Sequence, residues 1–169
     1  MLATSLVLTV VVSMWSGVVF AQSCAPASTA PGSLDTCFGI GGRVTTDITN
    51  GTASTTARAV AIQTDGKIVI ASTWSRAFYV LRYDSAGLLD PTFGSGGVEK
   101  ISFNKTSDGN ANALAVQSDG KIIVAGYATL KGNTVGFAIA RLAPNGSLDT
   151  SFGTGGKVLF GFQNNVSAV

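Results

Sequence analysis

The residues best placed for chemistry lie in Gly153-Thr154-Gly155-Gly156-Lys157, where a glycine-rich turn ends on a cation. Backbone amides in such a turn can cradle a phosphate, and a neighbouring lysine can neutralise it. Two further copies of the pattern test that reading. Leu34-Asp35-Thr36-Cys37-Phe38-Gly39-Ile40-Gly41-Gly42 and Leu89-Asp90-Pro91-Thr92-Phe93-Gly94-Ser95-Gly96-Gly97 share L-D-x-x-F-G-x-G-G with Leu148 to Gly156. At the place of Lys157 they carry Arg43 and Val98, the Walker spacing is missing, and a strand pattern follows where a phosphate loop needs a helix. The triplets Gly39/Gly41/Gly42, Gly94/Gly96/Gly97 and Gly153/Gly155/Gly156 therefore read as corners no side chain fits. Asp35, Asp90 and Asp149 are expected to accept hydrogen bonds from amides two or three residues on. Phe38, Phe93 and Phe152 are expected to wedge between sheets.

Other chemistry has less material. Without a histidine, a His-based triad, a His-ligated metal and an imidazole switch are excluded. Glu99 is the only glutamate and most aspartates fall at repeat positions, which disfavours a glycosidase carboxylate pair. Ser107-Asp108-Gly109-Asn110 and the Asp-Gly turns offer oxygen ligands, but there is no D-x-D-x-D-G calcium loop. Arg82 and Arg141 share a repeat position among apolar neighbours, which suits a buried or inter-blade structural arginine; a ligand contact is the alternative. Trp74 follows the second strand and has no aromatic counterpart, so it either packs in a loop or anchors a sugar or peptide. No catalytic, cofactor-binding or metal-binding residue is expected. The +2 net charge comes from 11 basic and 9 acidic side chains that do not cluster, so nucleic acid is not an expected partner.

The elements that position these residues are short strands. A 169-residue chain that is 46% apolar and only 12% charged, with 21 glycines, suits many strands joined by tight turns. Ala57-Arg58-Ala59-Val60-Ala61-Ile62-Gln63-Thr64-Asp65-Gly66-Lys67-Ile68-Val69-Ile70-Ala71 matches Ala111 to Ala125, and Phe78 to Tyr83 matches Phe137 to Leu142. Extra residues between Tyr127 and Val135 fall in one loop. Each unit reads as four strands: Val60–Gln63, Lys67–Ser72, Phe78–Tyr83, and an outer strand Val98–Phe103 or Val158–Phe162. Asp65-Gly66 and Asp119-Gly120 are expected to be two-residue hairpin turns, and Glu99 and Lys100 to mark an exposed edge. One such sheet cannot bury both faces alone. The expected fold is all-β: repeated four-stranded antiparallel units stacked as blades of an incomplete β-propeller.

The ordered motifs A-x-A-x-Q-x-D-G-K-I-x-x-A, F-x-x-x-R and L-D-x-x-F-G-x-G-G resemble the delta-60 repeat, a bacterial secreted or surface repeat regarded as propeller-like. The resemblance covers residues 33–162 and implies a repetitive, non-catalytic module with no functional residue to carry over.

Residues 1–21 read as a signal peptide: Leu6 to Phe20 is largely apolar, and Val19-Phe20-Ala21 precedes Gln22. An uncleaved membrane anchor or a misplaced start is the alternative, because no Lys or Arg lies near Met1. Residues 22–33, rich in Ser, Ala, Pro and Thr, read as a flexible linker. Cys24 and Cys37, the only cysteines, either form a disulfide or stay as two thiols. Residues 34–48 are a partial repeat, a corner followed by an orphan outer strand. Units 57–103 and 111–162 are complete, and 163–169 begins another. The sequons at Asn50, Asn104, Asn145 and Asn165 fall in expected loops. These ends lead to the expectation of an N-terminal piece of a longer protein, or of a subunit that assembles to close. Its partners would be an extracellular glycan or protein, and further blades or another chain to complete the ring. The expected location is secreted or cell-surface, with the periplasm or a membrane anchor as alternatives. The rival class is a propeller lyase or hydrolase with its site in other blades.

Overall fold

The computed structural model describes residues 30–51, 55–103, 109–130 and 134–161. The strands are β1 (Thr56–Ile62), β2 (Ile68–Trp74), β3 (Ala77–Tyr83), β4 (Val98–Ile101), β5 (Gly109–Val116), β6 (Ile122–Thr129), β7 (Val135–Leu142) and β8 (Lys157–Phe160). They make two four-stranded antiparallel sheets in chain order, β1-β2-β3-β4 and β5-β6-β7-β8, and the described residues contain no helix. The repeat extends to irregularities. The β1–β2 register slips between Ala57 and Ala59, and the β5–β6 register slips at the equivalent place between Ala111 and Ala113.

Alternation along β3 determines how the sheets stack. All seven residues of this strand are buried. Phe78 and Val80 join Val69, Ala71, Phe93 and Ile101 on one face, against Ile122, Val124, Ala138, Ala140 and Leu142 of the second sheet. Ala77, Tyr79, Leu81 and Tyr83 point the opposite way, toward Val44 and Ile48. Strand β5 lies across β1, β2 and β3. A buried aliphatic or aromatic side chain of this kind contributes about 1.5–3 kcal/mol, so the inter-sheet core holds the two units together as blades of an incomplete β-propeller.

Three local expectations are corrected. Residues 43–48 form no strand ladder; Arg43 makes only isolated bridges to Gly39 and Ile40. A strand needs a neighbour for its backbone groups; this segment meets the first sheet through side chains instead, by the packing of Val44 and Ile48 and a hydrogen bond from the Tyr83 hydroxyl to Thr46 Oγ1 at 2.8 Å. The Asp-Gly turns are three-residue loops. Gln63 N–H donates to Lys67 C=O across Thr64-Asp65-Gly66, and only Gly66 is left-handed, at φ 82°. The two-residue turn is instead Ser75-Arg76, with φ of 47° and 67°, which no glycine or asparagine advertises. Cys37 is half-buried. Its expected partner Cys24, the signal segment and residues 162–169 lie outside the described residues, and residues 30–33 close the expected linker as a turn.

Gly126 offers a steric test. Its backbone is not left-handed, yet a Cβ there would overlap the Asn110 carbonyl oxygen and come within 3.0 Å of the Phe78 ring. Gly126→Ala is expected to lower stability by about 1–3 kcal/mol, the usual cost of overpacking, read from the urea unfolding midpoint. An unchanged midpoint would contradict the inter-sheet packing described.

Candidate functional site

The chemistry-capable side chains converge on the corner of each unit. After β3 the chain turns through 84–88 and folds back beside the strand, so that Arg82 N–H donates to Gly97 C=O and Asp90 N–H to Arg82 C=O, both at 2.9 Å. This places the Asp90 carboxylate beside the Arg82 guanidinium, with Nε to Oδ2 at 2.9 Å. Lys67, delivered by the β1–β2 turn, adds its ammonium at 3.3 Å. The other carboxylate oxygen accepts the Thr92 amide and hydroxyl at 2.9 and 2.6 Å. Arg82 also lies over the Phe93 ring, 4.6 Å from its centroid. The second unit repeats the arrangement: Arg141 to Asp149 at 2.9 Å, Lys121 to Asp149 at 3.3 Å, Ser151 in place of Thr92, and Phe152 under Arg141 at 4.7 Å. In the first corner the Asp35 carboxylate accepts the Cys37 amide, at 2.9 Å. Sequence reading missed Lys67 and Lys121, although their recurrence after each Asp-Gly turn was a usable signal.

Hydrogen bonds hold these carboxyls ionised. The Thr92 hydroxyl, ahead of the Lys67 and Arg82 charges, keeps Asp90 well below the usual carboxylate range despite its burial. The Ser151 hydroxyl does the same for Asp149, down to about 2.

Three amides of the glycine turn are used within the turn. Thr154 N–H donates to Lys157 C=O, Lys157 N–H to Thr154 C=O and Gly156 N–H to Phe152 C=O, while the Lys157 ammonium donates to Ser102 C=O. Those amides are therefore not aimed at a phosphate. Each corner uses its glycines unequally. A Cβ on Gly94 would meet the Val98 carbonyl oxygen at 2.5 Å and one on Gly97 the Leu89 Cβ at 2.9 Å, whereas Gly96 faces open space and needs only its φ of 62°. Burial pushes the Glu99 carboxyl up, and this residue is half-buried where an exposed edge was expected. Among the described residues no three of His, Cys, Asp or Glu gather as metal ligands. Trp74 ends β2 and packs on Tyr79, ring centroids 5.7 Å apart.

The corners also join successive units. Gly39 N–H donates to Ala86 C=O and Gly94 N–H to Asn145 C=O, each at 2.8 Å, so each of the first two corners takes the turn after the third strand of the next unit. Phe38 and Phe93 lie where a side chain on the turn glycines Gly87 and Gly146 would be. Arg82 Nη1 spans the same joint to Pro144 C=O. A groove of about 310 Å³ at this joint is lined by Ile40, Val44, Thr46, Tyr83, Gly87 and Leu88, among others.

A family model described as a domain of unknown function (DUF5122) beta-propeller matches residues 63–93 and 117–152. These spans run, in both units, from the glutamine that opens the Asp-Gly turn to the corner phenylalanine. No curated protein and no solved structure matches the chain.

Because both carboxyls are depressed when folded, their contribution is complete above the ordinary value of 3.8 and is lost as pH falls toward about 2 for Asp149 and lower for Asp90. The urea midpoint is expected to be flat above about pH 5 and to fall steadily below about pH 4. Asp90→Asn leaves the buried Arg82 charge uncompensated. It is expected to cost about 3–5 kcal/mol at pH 7 and to flatten part of the acid decline; a wild-type acid profile in this variant would refute the assignment.

Proposed function

We propose that this chain, built of propeller-type repeat blades, is an exported, non-catalytic binding module that holds an extracellular glycan or protein through the loop end of its sheets, in adhesion or as a scaffold. The carrying observation is the contrast between the two ends of each unit. At the corner end the units share the same ion pairs, with Arg–Asp distances of 2.9 Å and Lys–Asp distances of 3.3 Å in both. At the opposite end they diverge. The first unit turns tightly through Ser75-Arg76 between β2 and β3, whereas β6 ends at Thr129 and β7 begins only at Val135. Loops carried on a rigid scaffold are where recognition usually resides.

Side chains at the diverging end suit recognition. Tyr127 is exposed and its hydroxyl accepts from Asn110 Nδ2 at 2.8 Å. Trp74 and Tyr79 pack together, and the Lys100 ammonium lies 5.9 Å from the Tyr79 ring centroid. Aromatic faces beside amide donors offer stacking and hydrogen bonding together. The apolar run between Leu6 and Phe20 supports export. Engagement of Asp65, Asp90, Asp119 and Asp149 in turns and ion pairs supports scaffold use of these carboxylates over a propeller lyase or hydrolase.

The test is a panel of glycans and extracellular-matrix proteins presented to the purified chain. A retained ligand is expected, with Trp74→Ala and Tyr127→Ala each weakening it about tenfold or more and Leu88→Ala, at the corner end, leaving it unchanged. Failure of every panel member to bind, or binding indifferent to both aromatic substitutions, overturns the proposal.

A further inference from the structure

The joint between units has two halves, a corner and a turn, and the described chain carries one of each unfilled. The unfilled corner is that of Leu148 to Gly156. Phe93 is fully buried beneath Gly146, whereas Phe152 is only half-buried. Gly39 and Gly94 donate their amides to the next turn, and Gly153 N–H donates to nothing among the described residues. Arg82 reaches Pro144 C=O, and the Nη1 of Arg141 has no such acceptor among the described residues. The arginine side chains differ accordingly, 5% exposed for Arg82 and 20% for Arg141.

The unfilled turn is Ala30-Pro31-Gly32-Ser33, just ahead of Leu34-Asp35, in the same relation as Pro144-Asn145-Gly146-Ser147 to Leu148-Asp149. Gly32 has φ 85°, against 84° for Gly87 and 90° for Gly146. Those two glycines are buried under a phenylalanine; Gly32 is exposed, and a Cβ on it would meet nothing within 4 Å.

We propose that the unfilled corner of one copy receives the Ala30–Ser33 turn of a second copy, a head-to-tail contact that reproduces the two joints within the chain. Gly153 N–H then donates to Pro31 C=O, Phe152 closes under Gly32, and Arg141 Nη1 meets Ala30 C=O once the Ser33 hydroxyl that now donates to that carbonyl turns away. The contact is heterologous, so it builds closed rings or open arrays. It stands independently of what the loop end binds.

Sedimentation of the full chain across a concentration series tests it. The wild-type chain is expected to associate. Gly32→Ala should weaken association about tenfold or more, because the new methyl lands where Phe152 must sit. Gly41→Ala is the matched control: it is also left-handed, at φ 59°, with open space around it, and should change association less than about twofold. Phe152→Ser should dissociate the assembly as Gly32→Ala does. An equimolar mixture of these two variants retains one intact corner and one intact turn, and should recover a pair and nothing larger. A monomeric wild-type chain overturns the proposal, as does association that survives both variants, which is the behaviour expected of contacts through the apolar N-terminal run. A mixture that stays monomeric also overturns it.

Discussion

Arg82 is held by four residues of the chain at once, and Asp90 among them compensates its buried charge. Its backbone pairs with both ends of the corner, its Nε with Asp90, its Nη2 with Thr92, and its Nη1 with the neighbouring unit at Pro144. Only 5% of the side chain reaches solvent, so the guanidinium is tolerable only while these acceptors stay in place. That requirement fixes the fold-back of the corner onto β3, the position of the Asp-Gly turn whose Lys67 shares the carboxylate, and the distance to the next blade. The network specifies arrangement more than it adds net stability, since desolvation offsets much of the attraction in a buried pair.

Stability comes from faces. A four-stranded sheet with apolar residues on both sides is unstable alone, and β3 is buried throughout because it has cover on both. The first strand of each unit shows the effect of missing cover. Leu114 and Val116 pack against the inter-sheet core, while the equivalent Val60 and Ile62 stay 65% and 73% exposed. Residues 43–48 cover only part of the first sheet's free face, through Val44 and Ile48. The same logic exposes Phe152 and Arg141 at the opposite end. Both free faces thus expose positions that the repeat covers within the chain.

This arrangement separates two kinds of surface. The corner end is occupied with charge compensation and blade-to-blade contact, and its carboxylates are held ionised by hydroxyl and amide donors. The loop end carries the non-repeated aromatic residues and the difference in length. The repeated frame and the loop end can therefore vary independently, a division common to folds whose loops sit on a repeated frame.

The amino-acid sequence by itself determined the repeat, the strands and the corners, because each depends on local chemistry: short apolar runs, glycine at left-handed positions, and aspartate accepting from its own turn. It also made Gly153 to Lys157 legible as a corner, since three copies could be compared. Tertiary structure alone decided the rest. The meeting of Lys67 with Asp90, well past β3 in the chain, is set by how the strands pack. The Ser75-Arg76 turn carries no turn residue and is imposed by the β2–β3 pairing. Residues 43–48 have strand-like sequence but no ladder, because a strand is a property of two segments. Composition concealed Ala30–Ser33 as linker. Its likeness to a joint rests on Gly87 and Gly146 being buried under the preceding corners, a contact between residues far apart in the chain that no local pattern encodes.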